Sequence, residues 1–285
     1  MLSYNKVCNL EDFADPDLVP TMVDVFLHER DRLGPEFPSG YEFRKYWEIA
    51  MAVRTLRDGG ALHPDAELLG IGAGHEPTVF YLTRYARRVF ATDLYLDPGV
   101  WGSYAAPSML TEPEQNWPFP WNPRRLVVQH MDALALRYED ETFDGVFSSS
   151  SVEHFGDHDA VRRAMAESFR VLRPGGILSL SSEFRLVGPS PGLPGIQMFS
   201  PAEIVDVLIG DLDWQPVSPF DLRVSAATLK TEQLQDHVVN QMIASEGRYG
   251  SLYTFKARYD RYPHIVLRLG PFVFTSFHLA LRKAS

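Results

Sequence analysis

From about residue 66 onward, apolar residues fall into short runs separated by longer amphipathic stretches. The runs at 66–71, 88–92, 126–129, 144–149 and 177–182 are rich in aliphatic and aromatic side chains, which predicts strands. Helical patterning intervenes after Pro77 and over 160–172. Alternating strands and helices predict an α/β fold with a mostly parallel, doubly wound sheet, because parallel neighbours must be joined by crossovers. Ligands of such sheets bind outside the carboxyl ends of the strands.

The flanks break this rhythm. Residues 17–32 and 41–57 read as helices around the breaker Gly34-Pro-Glu-Phe-Pro-Ser-Gly40, with Met22, Val25, Phe26 and Leu33, then Tyr46, Ile49, Ala50 and Val53, at helical spacing. Residues 1–60 are therefore expected to form an N-terminal helical cap, and 61–285 the main domain, with insertions near 95–124 and 221–262. The first insertion holds Pro98, Pro107, Pro113, Pro118, Pro120 and Pro123 together with Trp101, Trp117 and Trp121. Its tryptophans argue against disorder and predict an ordered flap. Further on, Ser200-Pro-Ala-Glu203 has the form of a capping box. Runs near 214–220 and 272–281 predict two further strands, with a helix near 231–245 between them.

Composition narrows the class of function. With 45% hydrophobic and 22% charged residues, the chain reads as a soluble globular protein. Its 27 Lys and Arg against 37 Asp and Glu give a net charge of −10, which repels phosphate backbones and disfavours a nucleic-acid partner. Cys8 is the single cysteine, so neither an intrachain disulfide nor a cysteine-based zinc site can form. There is no long apolar run and no basic, then apolar, leader, so membrane insertion is not expected and a cytoplasmic location is. The oligomeric state is not legible.

The chemistry concentrates at strand ends. Glu67-Leu-Leu-Gly-Ile-Gly-Ala-Gly-His-Glu76 carries Gly70, Gly72 and Gly74 where a strand meets a helix, and Asp93 closes the next strand. Glycines there let the backbone approach a bulky ligand at a helix N-terminus, and an acid at the second strand's end can accept hydrogen bonds from two ribose hydroxyls. Three further blocks follow in order: Val127-Val-Gln-His-Met-Asp132-Ala133, Phe143-Asp144 through Glu153-His154, and Val171-Leu-Arg-Pro-Gly-Gly-Ile-Leu178.

Together these blocks resemble the class I S-adenosylmethionine-dependent methyltransferases. The Gly-His-Glu-Pro loop with Ala-Thr-Asp-Leu-Tyr95 resembles, more narrowly, members associated with sugar and polysaccharide O-methylation. The resemblance implies a Rossmann-like sheet in which the strands near 215 and 275 form a C-terminal antiparallel strand pair, and S-adenosyl-L-methionine as cofactor. It places Gly70, Gly72, Ala73 and Gly74 at the methionine end, Asp93 and Leu94 at the ribose, and Met131, Asp132 and Ala133 at the adenine. Ser149 completes the expected cofactor set. It also implies that helices before the first strand cap the pocket, so that Tyr41, Phe43, Tyr46 and Trp47 either pack on the sheet or line an acceptor cleft. Two positions depart from the pattern: Gly70 stands where an acid is usual, with Glu67 displaced, and Glu76 replaces the third glycine.

Methyl transfer needs a nucleophile held in line and shielded from water, and an aliphatic hydroxyl also needs its proton removed. His154, Glu153 and Asp157 are the catalytic candidates; His75 and Glu183 stand near enough in sequence to touch an acceptor or brace a loop. Glu153, His154, Asp157 and His158 offer enough donors for a divalent metal, although their spacing matches no established metal motif and Asp157 or Asp159 also suits a helix cap. The leading expectation is an O-methyltransferase for a saccharide or related polyhydroxylated metabolite, with a small-molecule or oligosaccharide acceptor. The alternatives are a methyltransferase for a phenolic or lipid-like natural product, and a non-catalytic cofactor-binding subunit. A dehydrogenase built on the same fold is disfavoured by Asp132-Ala133 and Arg173-Pro-Gly-Gly176.

Overall fold

The computed structural model describes residues 3–97, 99, 102, 104–234 and 262–284. Its core alternates as β2 (Glu67–Ile71), α4 (Pro77–Leu82), β3 (Arg88–Asp93), β4 (Leu126–His130), β5 (Phe143–Ser149), α5 (His158–Val171) and β6 (Leu172–Val187). Ahead of it lie β1 (Asn5–Val7), α1 (Val19–Val25), α2 (Leu27–Leu33) and α3 (Arg44–Asp58). The main sheet runs Phe220–Asp221, β1, Phe272–Lys283, β6, β5, β2, β3, β4. The strands from β6 to β4 pair in parallel, and Phe272–Lys283 pairs antiparallel to β6.

Burial on both faces explains why the strands read as continuous apolar runs. Leu68 packs with Leu56, Val79 and Phe80 on the side of α3 and α4, whereas Leu69 packs with Val161 and Met165 of α5. Helix α5 is amphipathic, burying Val161, Ala164, Met165, Ser168 and Val171, and its N-terminus is capped by Asp157, which accepts the Ala160 N–H at 2.8 Å.

Several expectations are refined. The helix expected over 17–32 divides at Phe26, whose ring is buried edge-on against Tyr46 at 4.6 Å. Residues 3–60 are not helical throughout: β1 enters the sheet, pairing Lys6 and Val7 with His278 and Phe277. The C-terminal antiparallel pairing is present, with Trp214–Pro216 against Leu281–Lys283. In place of the start of a helix at 231, the chain forms a short helix, Ala226–Leu229, and a strand, Gln233–Leu234. The rest of that expected helix, and residues 235–261 of the second insertion, lie outside the described residues, as does Trp101.

The described part of the first insertion includes short 3-10 turns at Pro107–Leu110, Pro113–Asn116 and Pro123–Arg125, each opened by a proline suited to a first helical position. Trp117 stacks on Phe80 of α4 at 5.7 Å and Trp121 meets the same ring edge-on at 5.3 Å. These tryptophans anchor the insertion to the core. No helix among the described residues is long and apolar enough to cross a membrane.

Candidate functional site

A cavity of about 670 Å³ opens at the carboxyl ends of β2, β3 and β5, where the strand order reverses between β2 and β5. Its first wall is the glycine loop. Gly72 and Gly74 take φ values of +58° and +48°, which favour glycine. A Cβ at Gly72 would lie 2.6 Å from Ser151, and one at Gly74 would lie 2.6 Å from the Tyr104 carbonyl oxygen. The insertion clamps this loop: Tyr95 Oη donates to the Gly74 carbonyl at 2.7 Å, and the His75 N–H donates to the Tyr104 carbonyl at 3.1 Å.

Asp93 closes the second wall. Its carboxylate accepts the Gly74 N–H at 2.9 Å and the Leu94 N–H at 2.7 Å, one on each oxygen. Burial raises its pKa above the usual carboxylate value, although both hydrogen bonds oppose that shift. Each oxygen keeps a second acceptor site, as a ribose diol requires. Ala73, Leu94, Met131, Asp132, Ala133 and Ser149 also line the cavity. The loop glycines leave the space and Asp93 supplies the acceptors, so these residues fit an adenosine cofactor.

Two cofactor candidates do not reach it. Gly70 faces the sheet core, where an added Cβ would lie 2.7 Å from the Phe147 ring; its small size admits that ring. Glu67 begins β2, at the end of the strand away from the cavity, with its N–H donating to Asp144 at 2.8 Å.

On the acceptor side, Glu153 and His154 lie together on the 3-10 turn Val152–His154. His154 Nδ1 sits 2.9 Å from the Gly195 carbonyl. A carbonyl can only accept, so Nδ1 carries the proton and Nε2 carries the basic lone pair. Burial lowers the His154 pKa below its ordinary value. Glu153 is buried, accepts a hydrogen bond from Ser182 Oγ at 2.7 Å, and is pushed up to about 8 by desolvation and by nearby Glu183. Asp157 does not join them: its carboxylate is spent on the cap of α5, and His158 turns toward Glu203 at 4.0 Å. Among the described residues no group of three or more His, Cys, Asp or Glu is arranged to hold a metal ion.

The structure adds residues that the sequence did not signal. Arg44 pairs with Glu183 and donates to Ser276 Oγ at 2.9 Å; Lys45 pairs with Glu48 at 2.9 Å, and Ser150 donates to Glu48 at 2.7 Å. Burial alone would raise the Glu48 pKa, but Lys45 and Arg44 outweigh it and hold the carboxyl below its usual value. Around this cluster stand Phe43, Ile49, Leu193, Ile196, Leu269 and Phe274. Of the four aromatics considered for an acceptor cleft, Phe43 alone lines the cavity; Tyr46 and Trp47 are fully buried in the core and Tyr41 packs on Tyr262. Apart from Ile49, no periodic signal marks these positions, because they come from α3 and its N-cap, the turn after β5, residues 192–197 and the strands Leu267–Leu269 and Phe272–Lys283, and converge only in three dimensions.

Comparison with known proteins agrees with this geometry. Residues 69–180 match the family described as a methyltransferase domain. The chain is similar to 27-O-demethylrifamycin SV methyltransferase from Amycolatopsis mediterranei, 46% identical over 67 residues, and to methyltransferase GfsG from Streptomyces halstedii, 46% identical over 50 residues. These matches cover 24% and 18% of this chain but only 23% and 17% of the relatives' own lengths. Among solved structures, a proposed sarcosine dimethylglycine methyltransferase from Galdieria sulphuraria superposes with a TM-score of 0.53 at 15% identity, covering 84% of this chain and 85% of that one. The [4+2]-cyclase SpnF superposes with a TM-score of 0.51 at 20% identity, covering 96% and 94%. At such identities the likeness is one of fold. Residues 69–180 are thus similar to a methyltransferase domain, within a chain that shares the fold of these solved structures.

Proposed function

We propose that the protein transfers the methyl group of S-adenosylmethionine to a hydroxyl on a largely apolar, natural-product-like acceptor. The observation that carries this reading is the lining beyond Glu153 and His154, where Phe43, Ile49, Leu193, Ile196, Leu269 and Phe274 surround a buried polar cluster. Such a surface gains from covering an apolar skeleton, while a few polar groups orient one hydroxyl. The similarity to a protein named for an O-demethylated rifamycin points the same way.

When bound, the cofactor supplies an electrophilic methyl on a sulfonium. Asp93 holds the ribose and fixes the approach; Gly72 and Gly74 leave room for the backbone to close on it. His154 Nε2 accepts the acceptor's hydroxyl proton, and the Gly195 carbonyl, by accepting a hydrogen bond from Nδ1–H, keeps the ring in the tautomer with its lone pair on Nε2. The apolar ring excludes water, which would otherwise solvate the hydroxyl and weaken it as a nucleophile.

A saccharide acceptor is the second reading, favoured by the charged set Arg44, Lys45, Glu48 and Glu183. A polyhydroxylated sugar would need a hydrogen-bonding partner at most of its edges, and the aliphatic and aromatic lining offers few. The test is incubation with methyl-deuterated S-adenosylmethionine and either 27-O-demethylrifamycin SV or a free hexose, followed by mass spectrometry. A rifamycin product heavier by one deuterated methyl is the expected result; labelled hexose alone would favour the saccharide.

A further inference from the structure

Glu76 is half-buried and lines the cavity, and its Oε2 is shut off from solvent with no hydrogen-bond partner among the described residues. Its position at the N-terminus of α4 does not account for it, because its side chain makes no capping bond. The Ser149 hydroxyl, at the end of β5, is likewise buried and lies close enough to Glu76 to favour its charged form, but it makes no hydrogen bond of ordinary geometry among the described residues. Leaving a carboxylate in this condition is costly: burial, Glu48 and Asp93 push its pKa well up, and Lys45 and the Ser149 hydroxyl oppose them without prevailing. A ligand bearing a cationic N–H donor would relieve that cost.

The sheet order indicates which part of a ligand arrives there. Asp132 and Ala133 follow β4, Asp93 ends β3, and Glu76 and Ser149 lie beyond β2 and β5. An adenosine lying with its base by β4 and its ribose on Asp93 directs its 5′ arm toward Glu76. In S-adenosylmethionine and S-adenosylhomocysteine that arm ends in an α-ammonium, a compact donor of three N–H bonds. We propose that Glu76 is the anionic partner of this α-ammonium, with the Ser149 hydroxyl bracing the contact. This rests on the cofactor reading above and assigns a role to the residue that replaces the third glycine of the loop.

The test is calorimetry on the full chain with two ligands: S-adenosylhomocysteine, and its desamino analogue, in which hydrogen replaces the α-amino group. The wild type should bind S-adenosylhomocysteine about 10–100-fold more tightly than the analogue, the range of one charge-assisted hydrogen bond. Glu76→Gln, of the same shape but uncharged, should lose that preference while keeping its affinity for the analogue. Glu76→Asp, which shortens the arm by one methylene, should show a reduced preference and serves if the Gln variant does not fold. Equal affinity of the wild type for both ligands overturns the assignment, as does an undiminished preference in either folded variant. Binding of neither ligand by the wild type overturns the cofactor reading itself, and the Glu76 assignment with it.

Discussion

At the scale of single residues, a backbone carbonyl decides which nitrogen of His154 can act. Gly195 holds the proton on Nδ1 and burial keeps the ring neutral near pH 7, so the basic lone pair is on Nε2, which lies 3.9 Å from Glu153 Oε1. His154→Ala should therefore lower turnover by about 100-fold or more with little change in S-adenosylhomocysteine affinity, since a positioned base contributes about 10²–10⁴. The wild-type rate should rise with pH through a value below the ordinary 6.5 and be flat at neutral pH, a limb the variant lacks. Stopped assays across pH check both. Glu153 behaves oppositely. Its folded pKa of about 8 exceeds the ordinary 4.5, so the stability tied to this carboxyl is complete below the lower value and is lost as pH rises through the higher one. Thermal melts should show the wild type losing more stability than Glu153→Gln between about pH 5 and about pH 9.

Among the elements, the glycine loop was the most legible, because its constraint is local: a strand must end, turn through positive φ, and start a helix. Gly74→Ala tests that constraint. It combines φ of +48° with a Cβ 2.6 Å from the Tyr104 carbonyl, whereas Gly175→Ala meets φ of +77° with nothing within 4 Å. Both should destabilise by about 1–3 kcal/mol from strained backbone, with the larger fall in melting temperature at Gly74. Only Gly74→Ala should also weaken S-adenosylhomocysteine binding. Gly70 shows the limit of such reading: it belongs to the same glycine series, yet serves the Phe147 ring instead of the cavity. Strand β1 was hidden for another reason. Three residues cannot display a period, and their place is set by pairing with Phe272–Lys283 at the far end of the chain. Asp157 carried two plausible roles in sequence, and the 2.8 Å cap to Ala160 assigns it the structural one.

For the whole molecule, the cavity divides along the line between what could and could not be read. Gly72, Gly74, Asp93, Asp132 and His154 lie inside the matched segment 69–180, whereas Arg44, Ile196, Leu269 and Phe274, which nothing in the sequence marked, lie outside it. The cofactor wall is written in local motifs, and the acceptor wall arises from long-range convergence of α3, residues 192–197 and the strands Leu267–Leu269 and Phe272–Lys283. Phe274→Ala should enlarge the acceptor wall and shift relative turnover toward bulkier apolar hydroxyl acceptors, with S-adenosylhomocysteine affinity unchanged; competition between two acceptors of different size measures it. The central claim, that an adenosine cofactor is held by Asp93 at the reversal point of the sheet, is tested most directly by calorimetric titration of wild type and Asp93→Ala with S-adenosylhomocysteine, and of the wild type with NAD. The account predicts saturable binding by the wild type, a loss of about 10–100-fold in the variant, and no tight binding of NAD. Undiminished affinity in folded Asp93→Ala, or NAD binding in place of S-adenosylhomocysteine, would contradict it.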